Sequence, residues 1–105
     1  MATLEVGGKS IPVDEEGYLI NFSDWNEEVA KVIAANEGIG ELTDRHWIVI
    51  KFMQKAYKEK GTAPSIRTLS KESGVSIKEL YKLFPKGPAK KAAKIAGIKK
   101  PVGCI

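Results

Sequence analysis

The chain has 105 residues and one cysteine, Cys104, next to last in the ending Ile98-Lys99-Lys100-Pro101-Val102-Gly103-Cys104-Ile105. A thiol attacks, or carries a group, as its thiolate. Lys99 and Lys100 favour that form, and the terminal carboxylate beside Cys104 opposes it. Free cysteine is usually a small buried hydrophobe, and a chain terminus is where burial is least expected. Gly97 should stop the preceding helix, while Pro101 and Gly103 keep the tail from resuming one. These residues predict a thiol on a flexible arm. The steps from Gly97 to Cys104 span at most about 23–25 Å when extended, at roughly 3.3–3.6 Å per residue. That reach would bring the sulfur into another protein's active site. A single exposed thiolate suffices to accept sulfur as a persulfide and hand it on; a second cysteine on the arm would add an intramolecular disulfide as a release step. Composition alone leaves an incidental tail cysteine equally open.

The remaining reactive residue types are sparse. His46, the only histidine, sits in the first turn of an expected helix beside Trp47. With no second histidine and no cysteine near it in sequence, a metal site is not expected, and a surface or half-buried structural role is. A pairing of Cys104 with His46 is open geometrically but has no local signature. There is no phosphate-cradling glycine loop and no nucleophile elbow, and the carboxylates of 14–16 and 27–28 read as solvated charge. Residues 65–84 read as helix, glycine-containing turn, capped helix, in basic surroundings, which is a helix-turn-helix pattern. Lys78, Lys82 and Lys86 would face phosphates, but the second helix has no arginine, asparagine or glutamine to read base edges. A DNA-binding regulator is therefore the reading from a different class. The alternative is that two short helices simply close a bundle.

Length predicts one domain with a modest core, and 43% hydrophobic with 29% charged residues predicts a globular, soluble chain. No apolar run is long enough to span a membrane, and Met1-Ala2-Thr3-Leu4-Glu5 lacks a secretory pattern. With a lone cysteine these features predict the reducing cytoplasm. The net charge of +4 is unevenly placed. Residues 1–50 carry three basic and ten acidic side chains, and residues 51–105 carry fourteen basic and three acidic. The second half is thus expected to meet an acidic or polyanionic partner.

The elements that must carry the arm can be read in order. Thr3–Val6 and Ser10–Val13 alternate as strands around the turn signal Gly7-Gly8, with Pro12 confining the second to an edge. Asp14–Gly17 is a further turn. A first helix is predicted from Ser23 or Asp24, with Asp24 and Glu27 at capping-box spacing and Trp25, Val29, Val32 and Ile33 on one face, to Gly38. Thr43 caps a second, Asp44 to about Lys60, apolar on more than one side and so expected at the centre. Ser65 opens a third, from Ile66 to about Ser73. Ser76 and Glu79 form the expected capping box of a fourth, and Gly87-Pro88 starts a fifth with Ala92, Ile95 and Ala96 inward and Lys90, Lys91 and Lys94 outward. The expected fold class is mainly α: a five-helix orthogonal bundle with a small N-terminal β-hairpin, a helix-turn-helix-like element and a flexible C-terminal arm. Residues 1–97 form the domain and 98–105 the arm.

The stretch Leu83-Phe84-Pro85-Lys86-Gly87-Pro88-Ala89-Lys90, followed by Lys94-Ile95-Ala96-Gly97 and the ending quoted above, closely resembles the DsrC/TusE family. Asp14-Glu15-Glu16-Gly17-Tyr18-Leu19, Leu42-Thr43 with His46-Trp47, and Ala63-Pro64-Ser65-Ile66-Arg67 resemble it too, so the likeness spans nearly the whole chain. The resemblance implies a helical fold with an N-terminal hairpin and a mobile arm, and sulfur carried as a persulfide on Cys104. It implies a sulfurtransferase component rather than a stand-alone enzyme, with no cofactor of its own. It implies an upstream persulfide donor and a downstream sulfur acceptor as partners, either a TusBCD-like relay toward tRNA thiolation or dissimilatory sulfite reductase. Proteins of the DsrC branch have a second arm cysteine, and the matching position here is Ala93, as in the single-cysteine TusE branch. The short connection Ser73-Gly74-Val75-Ser76 is instead more like DsrC proteins of sulfate reducers. Lys90, Lys94, Lys99 and Lys100 are the candidates for guiding the arm onto an acidic partner. Arg67 is the candidate for docking the arm or binding a sulfur oxyanion.

Overall fold

The computed structural model describes residues 2–99. Strands β1 (Ala2–Val6) and β2 (Lys9–Val13) pair antiparallel with Leu4 opposite Ile11 and Val6 opposite Lys9. Gly7 and Gly8 close the hairpin with φ of 54° and 85°, the positive pair that a tight two-residue turn requires and that glycine adopts without penalty. Alternation then sends Ile11 and Val13 into the core.

The first helix departs from its expected start. Phe22–Asp24 forms a single 3-10 turn, and α1 runs Glu27–Asn36. The cap is Asn26, whose side-chain oxygen accepts from the Val29 amide at 2.9 Å. The Asp24–Glu27 box therefore does not form, because an asparagine two residues later offers the shorter route to the free amides. Helix α2 (Asp44–Lys60) has the expected ends, with Thr43 as cap and Gly61 left-handed after the last turn. It buries Val49, Ile50, Met53 and Ala56, but leaves Ile48 and the lysines at 51, 55 and 58 exposed. Trp47, Phe52 and Tyr57 also pack against the core, so the apolar surface is broad, as expected of a central helix, and the lysines mark its exposed face.

Helices α3 (Ile66–Ser73) and α4 (Ile77–Leu83) follow as the helix-turn-helix pattern predicts, each capped by a serine. The Glu79 carboxylate does not return to the cap of α4. It accepts two hydrogen bonds of 2.7 Å from the Arg45 guanidinium on α2, so the expected reciprocal box is replaced by a bidentate tie between helices. Helix α5 (Pro88–Ala96) packs on both α1 and α2, with Ala89, Ala92, Ala93, Ile95 and Ala96 buried. Its small side chains allow that close approach from two directions. The hairpin rests against α1, so all five helices and the two strands share one core around Phe84, Ile50, Met53, Leu69 and Leu80.

The end of α5 is the most completely tied point of the body. A helix leaves its last carbonyls without intrahelical partners. Here the Gly97 amide donates to Lys94 and the Ile98 amide to Ala93, the paired bonds of a Schellman turn, with Gly97 at φ 79°. The Trp25 indole N–H donates to the Ile95 carbonyl at 2.8 Å, and the Gln54 amide donates to the Ala96 carbonyl at 2.8 Å. All four final carbonyls are thus taken. The sequence pattern places Ile98 in the arm, but it is only 3% exposed and lies in the core. The packed body ends one residue later than expected because the turn needs an apolar residue to close it.

Gly97 is required twice over. Its backbone is left-handed, and a Cβ there would stand 2.5 Å from Trp25 Cδ1. Gly97→Ala is expected to lower unfolding free energy by roughly 2–5 kcal/mol, combining about 1–2 for the left-handed backbone with about 1–3 for overpacking. Urea denaturation of the two proteins checks this, and an unchanged midpoint would contradict it.

Candidate functional site

Cys104 and Lys100 lie outside the described residues. What the structure supplies is the root from which they extend. Lys99 is exposed and follows directly on the clamped Ile98. Everything attached beyond Lys99 therefore starts from a fixed point between the Trp25 and Gln54 hydrogen bonds.

The other predicted residues fall in two places. Lys90 and Lys94 lie one turn apart on α5 and, with Lys86 and Lys91, line a notch of about 160 Å³ shared with Glu16, Tyr18 and Glu37. Lys90 is exposed. Lys94 is largely enclosed: its ammonium lies 3.3 Å from a Glu37 carboxylate oxygen and 5.2 Å from the centre of the Tyr18 ring. Lys91 donates to the Glu37 carbonyl at 3.3 Å. These two cations, expected to point outward, instead fasten α5 to the end of α1. Arg67 is exposed on α3 and is not among the residues of that notch.

Tyr18 completes the notch. Its hydroxyl donates to the Lys90 carbonyl at 3.2 Å. Burial, and then the nearby carboxylates of Glu16, Asp14 and Glu37, push its phenol up to about 12 from the ordinary 10.0.

His46 is a structural residue. Its Nδ1 accepts from the Thr43 amide at 3.0 Å, which leaves Nε2 as the N–H that donates to the Leu83 carbonyl at 2.9 Å. The ring stands edge-on to Phe84, with centroids 5.2 Å apart, and the residue is 7% exposed. Both nitrogens are thus used in holding the start of α2 to the end of α4, and neither is available as a base for Cys104. Among the described residues no group of three or more histidine, cysteine, aspartate or glutamate side chains could hold a metal ion. No helix among them is long and apolar enough to cross a membrane.

Sequence reasoning missed a groove beside the root. It has a volume of about 810 Å³ and is lined by Phe22, Tyr57 and Ile98 with Lys51, Lys55 and Lys58. The signal was present as lysines spaced four and then three apart, which share one face of a helix. It was hidden because Phe22 and Ile98 belong to segments 76 residues apart in the chain, and only the fold brings them to one place.

The comparisons with known proteins agree with this geometry along the whole chain. The family model described as DsrC like protein matches residues 5–105. The chain belongs to the DsrC family. It is 46% identical over 105 residues to the gamma subunit of dissimilatory-type sulfite reductase from Nitratidesulfovibrio vulgaris, with all of both chains covered. It is 50% identical over 109 residues to the sulfurtransferase TusE of Yersinia pestis, covering 97% of this chain and 99% of that one. The solution structure of DsrC from Allochromatium vinosum superposes with a TM-score of 0.88 at 46% identity, covering 99% and 98% of the two chains. The fold of hairpin and five helices is therefore the DsrC fold. In this member Ala93 is fully buried on α5, and Cys104 is the single cysteine of the chain.

The Tyr18 environment has a measurable consequence. Because its folded pKa lies above the unfolded one, the neutral phenol stabilises the fold fully below pH 10.0, and that contribution is lost as pH rises toward about 12. Stability measured against pH in this range is expected to fall less in Tyr18→Phe than in the wild type. Parallel curves for the two proteins would contradict the assignment.

Proposed function

We propose that this chain is a sulfur-carrier protein that accepts sulfur as a persulfide on Cys104 and passes it to a second protein. The observation that carries the reading is the family match extending through residue 105, over a segment whose single cysteine follows a rigidly clamped root. A relative named sulfurtransferase TusE at 50% identity over nearly the full length supports it.

The chemistry follows from one thiolate. Cys104 attacks the terminal sulfur of a donor persulfide. The new bond is S–S on Cys104, the donor's S–S bond breaks, and the donor leaves as its own thiolate, so no external oxidant or reductant is needed. The acceptor's thiolate then attacks the outer sulfur of the Cys104 persulfide by the same step. With Ala93 in place of a second thiol, the chain cannot close an intramolecular disulfide, so release takes place on the partner. Lys90, Lys99 and Lys100 guide Cys104 by charge toward an acidic entrance on the partner. Lys94, held by Glu37, adds only its long-range field. Arg67, exposed on α3, is the candidate for a sulfur oxyanion or for docking the arm. No cofactor is required, and the chain works as a component of a transfer sequence rather than as a separate enzyme. The partners are a relay toward tRNA thiolation or a sulfite reductase; one relative is named as a sulfite reductase gamma subunit and another as a sulfurtransferase. The compartment is the cytoplasm, where a lone thiol stays reduced. DNA binding through α3 and α4 is not favoured: Lys78, Tyr81 and Lys82 are exposed there, but Glu79 on the same helix holds a carboxylate against Arg45.

Incubation with a small-molecule persulfide donor, followed by intact-mass measurement, is expected to add the mass of one sulfur atom to the wild type and nothing to Cys104→Ser. Equal modification of both proteins, or of neither, would overturn the proposal.

A further inference from the structure

The groove beside the root has three properties that belong together. Its apolar lining, Phe22, Tyr57 and Ile98, includes a phenylalanine that is 52% exposed. Lys51, Lys55 and Lys58 stand along one exposed face of α2, and among the described residues none of the three has an ion-pair partner. The groove also includes Ile98, the last buried residue before the segment that bears Cys104. From Ile98 the sulfur can travel at most about 20–22 Å, at roughly 3.3–3.6 Å per residue. A protein that receives Cys104 in a recessed site must therefore press its own surface against the body around Ile98.

We infer that this groove is the docking face for the protein that exchanges sulfur with Cys104, and that the partner brings an apolar side chain onto Phe22 and Tyr57, beside the buried Ile98, flanked by carboxylates facing Lys51, Lys55 and Lys58. The inference rests on the sulfur-carrier reading. Burial of the apolar anchor supplies affinity, and the lysine row sets orientation and the rate of encounter. The row has no arginine to grip phosphates in a bidentate way; a nucleic acid would instead stack a base on Phe22 or Tyr57, so tRNA binding is measured as an outcome against the proposal. This surface is distinct from Lys90 and Lys94, which face the Tyr18 notch.

The test measures Kd for the full chain with two purified probes, the catalytic subunits of a dissimilatory sulfite reductase and a TusBCD-type relay complex. The triple variant Lys51→Glu, Lys55→Glu, Lys58→Glu is expected to bind the productive probe roughly tenfold or more weakly, with reduced salt dependence. Phe22→Ala should weaken it independently of salt, while Lys78→Glu with Lys82→Glu on α4 should leave it unchanged. The triple variant should still take up sulfur on Cys104 from a small persulfide, since its thiol is intact. Cys104→Ser should bind with the wild-type Kd and carry no sulfur, which separates the two ideas. Wild-type Kd in both groove variants overturns the docking face, as does failure of the wild type to bind either probe. An effect confined to self-association or to tRNA binding overturns it in favour of a second copy or a nucleic acid.

Discussion

Four carbonyl groups at the end of α5 set the constraint on which the rest of the structure depends. A helix that stops beneath a core must find donors for its last carbonyls or leave them unpaired, at about 1–3 kcal/mol each. This chain supplies two from its own Gly97–Ile98 turn, one from Trp25 before α1 and one from Gln54 on α2. Those donors come from three separate parts of the sequence, so the end of α5 is tied both to itself and to the bundle. The same geometry leaves no room for a side chain at position 97, where the Trp25 ring lies against the glycine. A small residue, an indole and an amide thereby hold one point of the surface still, and the proposed carrier cysteine follows that point in the chain.

The two lysine-lined surfaces are treated differently. At the Tyr18 notch, Lys91 and Lys94 are spent on fastening α5 to the end of α1, through the Glu37 carbonyl and carboxylate. Beside the root, Lys51, Lys55 and Lys58 have no ion-pair partner among the described residues and lie next to the exposed Phe22. Charge counting in the second half of the chain cannot separate these cases, because a lysine tied to a carboxylate and one left for a partner are identical in sequence. The excess of basic residues after position 50 is therefore partly structural and partly available for binding.

Much of the fold was legible because its signals are local. Thr43 and Gly61 bound α2, Gly7-Gly8 makes the hairpin turn, and Pro88 with Gly97 brackets α5. Each acts through its own backbone. Most of the misreadings involve a distant partner, and one a nearer competitor. Glu79 has the spacing to cap α4, but Arg45, 34 residues earlier, takes its carboxylate. Asp24 and Glu27 have the same spacing, yet Asn26 caps α1. His46 looked like a half-exposed ring until the Leu83 carbonyl and the Thr43 amide claimed both of its nitrogens. The groove lined by Phe22 and Ile98 was invisible for the same reason. Of the proposed site, a single cysteine one residue from the end is visible in the sequence; the fixed root that precedes it is not.

If a clamped root and a tether of set length together deliver the sulfur, then tether length should govern transfer between proteins but not the thiol's own reactivity. The direct measurement deletes Pro101 and Val102, which removes about 7 Å of reach at roughly 3.3–3.6 Å per residue. It then compares two rates, alkylation of Cys104 by a small reagent and sulfur exchange with the protein partner. Unchanged alkylation with exchange lowered by roughly a hundredfold is the expected result, as a small misplacement of reacting groups costs about that much. Exchange at the full rate from the shortened chain would contradict the account.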